Sequence, residues 1–170
     1  MPTEDLLHDA LCEGHPRQAH DAAAQLADRS LTAGEMRQLS SAAGAADAHL
    51  RMRAVFLLGR LQRHAEQADL LIRKALQDPV WTVRESAAAA LAQLAVDCDA
   101  KLPDAHEALT NSTLRDRSHF VRDAAVQSLV RLSRRNQVSL DQLRRALRDP
   151  RPPIRCRAAE ALVCFPDRAD

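Results

Sequence analysis

His8, Cys12, His15 and His20 lie close together near the N-terminus, and imidazole with thiolate is a donor set that zinc accepts. His8 and Cys12 are four residues apart, so a helix would place them on one face. His15 and His20, however, straddle a turn, and no second Cys pair stands beside them. Surface histidines and a buried thiol account for the same residues, and no metal is expected. Cys156 and Cys164 fall a little over two turns apart on one helix. A catalytic thiolate needs a base within reach, and the nearest His in sequence is His119, two helices away. Trp81, the only Trp, and Phe120 offer either an aromatic platform at a loop edge or a staple on the first turn of a helix. No Ser-His-Asp arrangement and no Gly-rich phosphate loop is present. The expectation is a protein without catalytic residues and without a cofactor.

The elements that must position these groups come from one helical phrase that returns four times. Leu50-Arg51-x-x-Ala54-x-x-x-Leu58-x-x-Leu61 is followed by Val83-Arg84-x-x-Ala87-x-x-x-Leu91-x-x-Leu94. Then come Val121-Arg122-x-x-Ala125-x-x-x-Leu129-x-x-Leu132 and Ile154-Arg155-x-x-Ala158-x-x-x-Leu162-x-x-Phe165. The starts are 33, 38 and 33 residues apart, a period that denotes stacked helical units. Such units bury their apolar faces only against one another. Offsets 0, +4, +7, +8 and +11 from each start fall on one helical stripe, the expected buried face. Asp78, Asp116 and Asp149 stand five residues before three of the starts, where Asp accepts backbone N–H groups at a turn or helix start.

The phrase predicts second helices near 48–63, 80–97, 119–135 and 152–164. Fainter first helices are predicted near 32–45, 66–77, 103–114 and 138–148, with the surplus of the longer step assigned to Asp97–Pro103. Residues 3–12 and 16–28 read as a further, divergent hairpin. The predicted fold class is all-α, an α-solenoid of about five antiparallel helical hairpins in one domain over 1–170. Its parts are a divergent hairpin in 1–30 and repeats near 32–63, 66–97, 103–135 and 138–165.

Composition bounds the function classes. Aromatics are 2% of the chain and Tyr is absent, which leaves little for stacking bases. The net charge is +1, but it is uneven: −5 over residues 1–50, 0 over 51–114 and +6 over 115–170. Four scattered Cys residues without CxxC pairing suit reduced thiols inside a cell. The acidic N-terminus lacks the order of a signal peptide, and no apolar run approaches the roughly 20 residues of a membrane helix. A cytoplasmic protein without a membrane partner is expected.

The pattern Asp-x4-Val-Arg-x2-Ala-x3-Leu resembles the HEAT repeat, particularly the short variety of phycobilin-lyase-like proteins. Residues 78–91, 116–129 and 149–162 match it, and 45–58 match without the Asp, because Ala45 stands there. The resemblance implies a right-handed superhelix whose second helices line the concave face. It also implies an Asp/Arg ladder between neighbouring turns, which makes Arg51, Arg84, Arg122 and Arg155 structural. It says little about function, because HEAT arrays serve as scaffolds, adaptors, lyase subunits, nucleic-acid binders and occasional enzymes. One such enzyme, an iron-dependent hydroxylase, is built on paired His-Glu dipeptides; this chain has one, His106-Glu107, and that activity is not carried over. A HEAT-like DNA glycosylase family uses aromatic and carboxylate groups on a strongly basic concave face. Trp81 and Asp123 give no residue-by-residue match to it.

With the apolar stripe buried, offsets +2, +3, +6 and +10 set the open side of the second helices. The candidate contact residues are Met52, Arg53, Phe56, Arg60, Glu85, Gln93, Asp123, Gln127, Arg131 and Glu160. This surface is mixed in sign, and Glu85, Asp123 and Glu160 do not suit a phosphate backbone. A protein or peptide partner suits it better. The alternatives are a nucleic-acid-binding module using the Arg-rich C-terminal third, or an accessory subunit of a lyase-type enzyme. Arg144, Arg145, Arg148 and Arg151 belong to a first helix and the turn after it, and read either as a solvated face or as an anion-binding edge.

Overall fold

The computed structural model describes residues 3–11, 16–27, 29–97, 107–109, 115–133 and 140–163. All regular structure among these residues is helical. Helices α1 (Thr3–Leu11) and α2 (Pro16–Ala27) pack as a hairpin, as do α3 (Ala33–Ala43) with α4 (Ala48–Leu58) and α5 (Ala65–Ala75) with α6 (Trp81–Asp97). Residues 107–109 are helical and precede α7 (His119–Ser133). Helices α8 (Leu140–Ala146) and α9 (Pro152–Val163) form the next hairpin.

Local chemistry explains where these helices begin. Thr32 and Glu35 form a reciprocal capping box at α3: the Thr32 N–H donates to Glu35 Oε2 at 2.6 Å, and the Glu35 N–H donates to Thr32 Oγ1 at 3.2 Å. Asp47 caps α4 by accepting from the His49 and Leu50 N–H groups. Asp78, Asp116 and Asp149 instead accept from the N–H two residues on, at Val80, Ser118 and Arg151, over 2.8–2.9 Å. The recurrent Asp is therefore a turn residue rather than a helix cap.

The second helices stack in the order α4, α6, α7, α9. Ala54, Ala87, Ala125 and Ala158, the +4 residues, are all 0% exposed. Small side chains bring these helices close enough for hydrogen bonds between side chain and backbone. Ser86 Oγ donates to the Met52 carbonyl at 3.2 Å and Ser128 Oγ to the Ala88 carbonyl at 2.9 Å. One hydrophobic core runs from Leu7 to Ala161, and a smaller cluster of Val126, Ala146, Ile154 and Ala158 ties α7 to α8 and α9.

Four features depart from the expectation. The second helix predicted near 48–63 stops at Leu58 with Gly59 as its C-cap, and Gly59 lies against α6, where a Cβ would stand 2.7 Å from Ala90 Cα. Leu61 is buried all the same, from the turn that follows. The buried stripe is wider than predicted, since Val55, Ala88 and Val126 at offset +5 are also fully buried; stacked helices cover a flank that a single-helix pattern assigns to solvent. The first helix predicted near 138–148 ends at Ala146, and Leu147 just beyond it is exposed, although Leu76 just beyond α5 is buried. Finally, α1 is the helix of the first hairpin that packs on both α3 and α4, whereas elsewhere second helix meets second helix. The predicted Asp97–Pro103 connection falls, after Asp97, outside the described residues.

Candidate functional site

The Arg that follows each apolar start sets the edge of the array. In all four copies its Nη1 turns back onto two carbonyls of its own turn, at 2.7–3.3 Å: Ala45 and Ala46, Asp78 and Pro79, Asp116 and Arg117, Asp149 and Pro150. The rest of the guanidinium reaches the next repeat. Arg51 and Arg84 hold Asp78 and Asp116 through both Nε and Nη2, at 2.7 and 2.9 Å. Arg122 holds Asp149 through Nε at 2.7 Å. Burial alone would push the Asp78 and Asp116 carboxyls up. The Arg hydrogen bonds, the turn N–H groups and two flanking guanidinium charges outweigh it and hold both below the usual carboxylate range. These side chains are 6–16% exposed, so Arg51, Arg84 and Arg122 are framework. Arg155 has no carboxylate across from it among the described residues.

The open side of the second helices divides by depth. The +6 row, Phe56, Ala89, Gln127 and Glu160, is exposed on α4, α6, α7 and α9. On α4, α6 and α7 the +2 and +3 positions are part-buried, whereas Cys156 at +2 of α9 is exposed. Met52 packs against the core, Arg53 Nη1 lies 3.4 Å from the Leu11 carbonyl, and Asp123 pairs with Arg157 at 3.0 Å. At +10, the Arg60 guanidinium lies 4.8 Å over the Phe56 ring, Gln93 donates to Asp97 at 2.5 Å, and Arg131 is exposed. Burial, with the charge of Asp123 added, raises the Glu85 carboxyl above its ordinary value. The candidate residues are thus brought onto one side of the array, at two depths.

Trp81 and Phe120 stack on each other across the repeat boundary, with ring centroids 4.8 Å apart, and His119 lies 3.9 Å from Phe120. Both rings remain part-exposed, at 39% and 47%, so the contact is a bridge between the starts of α6 and α7 with an open rim. The signal in the sequence was their places just before successive repeat starts, Trp81 two residues before Val83 and Phe120 one before Val121. Among the described residues no group of three His, Cys, Asp or Glu side chains is placed to hold a metal. Of the N-terminal candidates, Cys12 and His15 lie outside the described residues, as do His106 and Cys164. Cys156 is an exposed free thiol. No helix of the described residues is long and apolar enough to cross a membrane.

No curated protein matches the chain. Among solved structures, Escherichia coli YibA aligns with a TM-score of 0.75 at 19% identity, over 96% of this chain and 58% of that one. The CpcE–CpcF complex of phycocyanin lyase from Nostoc sp. aligns at 0.67 with 22% identity, over 94% and 97%. Computationally designed armadillo repeat proteins for modular peptide recognition align at 0.55 with 17% identity, over 95% and 81%. The chain therefore spans little more than half the length of YibA, and at these identities the likeness is one of fold. The sequence pattern described as HEAT repeats matches residues 36–130, more than half the chain. Together with the stacked second helices and their ladder, that match makes the chain a member of the HEAT-repeat family.

Proposed function

We propose that the protein is a non-catalytic interaction scaffold, binding a protein or peptide partner along the open side of its second helices. The observation that carries this reading is the solvent-facing row Phe56, Ala89, Gln127 and Glu160, one residue from each of four stacked helices. Such a row gives an extended ligand a regular set of contacts at one spacing. Its ends differ: an aromatic ring under a guanidinium at Phe56 and Arg60, and a carboxylate at Glu160. Aromatic and Arg side chains are where binding energy concentrates in protein interfaces. The designed armadillo proteins, named for peptide recognition, share the fold and support the same use.

The nucleic-acid alternative fits this side less well. Glu85 and Asp123 sit among its cations, and Asp123 already neutralises Arg157. The role of accessory subunit to a lyase draws only on the fold shared with CpcE–CpcF. The test is affinity capture from native cells, followed by direct binding of the purified partner. Replacing Phe56 and Arg60 together by Ala should weaken that binding at least about tenfold. Unchanged affinity moves the interface to another face. Retention of duplex or single-stranded nucleic acid that falls steeply with salt would replace the scaffold reading.

A further inference from the structure

The ladder step between α7 and the α8–α9 hairpin encloses a notch of about 390 Å³. Its wall is drawn from the turn before α7 (Arg115, Asp116), the first turn of α7 (Arg122), the end of α8 (Arg145, Ala146) and the turn before α9 (Arg148, Asp149, Pro150). Both carboxylates are already committed, Asp116 to Arg84 and Asp149 to Arg122, each at 2.7 Å. Arg115, Arg145 and Arg148 are exposed and have no carboxylate partner among the described residues. Three guanidinium groups are thus gathered around one concavity, where they repel one another.

The first ladder step is an internal control. Its equivalent wall keeps Arg51, Ala75, Asp78 and Pro79, but has Ala45 where the last step has Asp116, which Arg84 already holds, and carries Gly44, Lys74 and Gln77 where the last step carries Arg115, Arg145 and Arg148. One cation stands where the other step has three, so the framework does not require them. Cations near the end of α8 also suit the negative pole of that helix. That accounts for Arg145 and Arg148 but not for Arg115, which arrives from a different turn.

We infer that this notch binds a phosphate monoester group. The planar guanidinium fork pairs bidentately with phosphate oxygens, and a phosphate monoester is close to dianionic at neutral pH. The volume holds a phosphoryl group and part of its carrier. A nucleic-acid backbone would call for cations continuing along neighbouring steps; at the three places in question the sequence of the middle step has Gln77, Ser112 and Arg115, the last already counted, and the first step supplies a single Lys. The site lies on the ladder edge and stands whether or not the open side of the second helices binds a partner.

Calorimetric titration of the full chain at physiological ionic strength tests this, with a phosphoserine peptide, its serine counterpart and glycerol 3-phosphate as ligands. Saturable binding of the phosphorylated peptide but not the serine form is expected. Arg145→Ala with Arg148→Ala should weaken it at least about tenfold without lowering the thermal midpoint. Arg144→Ala, which removes an exposed pair with Asp141 outside the wall, should leave affinity within about twofold. Binding of glycerol 3-phosphate as well assigns the site to free phosphoryl compounds; binding of the peptide alone assigns it to a phosphorylated partner. Should the double variant unfold, phosphate protection of Arg115, Arg145 and Arg148 from phenylglyoxal in the unaltered protein gives the same readout. The inference is overturned by no saturable binding of either phosphate source, by equal affinity in a folded double variant, or by tighter, length-dependent binding of duplex DNA.

Discussion

Helices α6 and α9 carry the same phrase and end in different surroundings. At offset +5, Ala88 of α6 is 0% exposed while Ala159 of α9 faces solvent. At +9, Ala92 is 0% exposed and Val163 is 84% exposed. Arg84 grips Asp116 of the next repeat with two nitrogens, whereas among the described residues Arg155 holds only the carbonyls of its own turn. What the two helices share is local: the fully buried +4 Ala, the turn Asp that precedes them, and the Arg folded back on that turn. What separates them is the neighbour. α6 lies between α4 and α7, while among the described helices α9 has α7 and α8 on one side. In a stacked array much of the stability therefore resides in the step between units rather than in the unit.

The largest test of that difference is to delete the ladder Arg at both places. Arg84→Ala strands the Asp116 carboxylate at a site where its side chain is 7% exposed. Breaking a buried pair in this way costs about 3–5 kcal/mol, which lowers the thermal midpoint of a chain this size by on the order of 10 °C. Arg155→Ala removes hydrogen bonds to two turn carbonyls and strands no carboxylate among the described residues, and should cost under about 1 kcal/mol. Equal losses at the two sites would show that the self-turn contact, not the step to the next repeat, is what the Arg contributes.

A smaller effect separates the two +5 positions. Ala88→Leu forces extra methyl groups between α6 and its neighbours, beside the carbonyl that Ser128 bonds, and should cost about 1–3 kcal/mol by overpacking. Ala159→Leu adds the same atoms to an exposed face and should stay within about 0.5 kcal/mol of the parent. Chemical denaturation reads both. A large penalty at Ala159 would mean that α9 is covered on that side in solution.

These contrasts also show why some of the structure was legible and some was not. The +4 Ala row, the placing of Asp78, Asp116 and Asp149 at a turn or helix start, and the start of each second helix follow from spacing within one unit, and spacing is what a sequence displays. Burial at +5 and the need for Gly at position 59 depend on how closely another helix approaches, at Ala90 in the second case. Nothing in the phrase around Leu58 or Leu61 encodes that distance. The candidate contact residues divide in the same way. Helical offset placed Phe56, Gln127, Arg131 and Glu160 on the solvent side, but Met52, Arg53, Glu85 and Asp123 settle into the seams, because second helices touch each other along +2 and +3. The basic notch joins Arg115 and Arg148, one repeat apart in sequence, and only the stacking of two turns brings them to one wall.

The smallest and most discriminating effect concerns two carboxylates that respond to burial in opposite ways. Asp116 has its pKa held down, because Arg84, the Ser118 N–H and the nearby Arg122 charge outweigh burial. Its contribution to stability is therefore present above the unfolded value of about 3.9 and is lost as pH falls through the lower folded value. Glu85 is raised, by burial first and by Asp123 second, so the folded state holds its proton more tightly than the unfolded chain does. Stability from this group is highest below about 4.3 and declines as pH rises through the folded value. Glu85→Gln should then raise the thermal midpoint at pH 7, by an amount worth under about 1 kcal/mol at this part-buried, still solvent-reached site. The gain should vanish below about pH 3, well under the unfolded value, where Glu85 is protonated in both states. Asp116→Asn should do the reverse, costing stability at pH 7 and progressively less as the medium is acidified. A fall in midpoint for Glu85→Gln at pH 7 would place Glu85 with the ladder carboxylates, as a framework group. A rise leaves it as an ionised carboxylate kept on the open side of α6 at a cost to folding, which is the behaviour of a residue retained for binding.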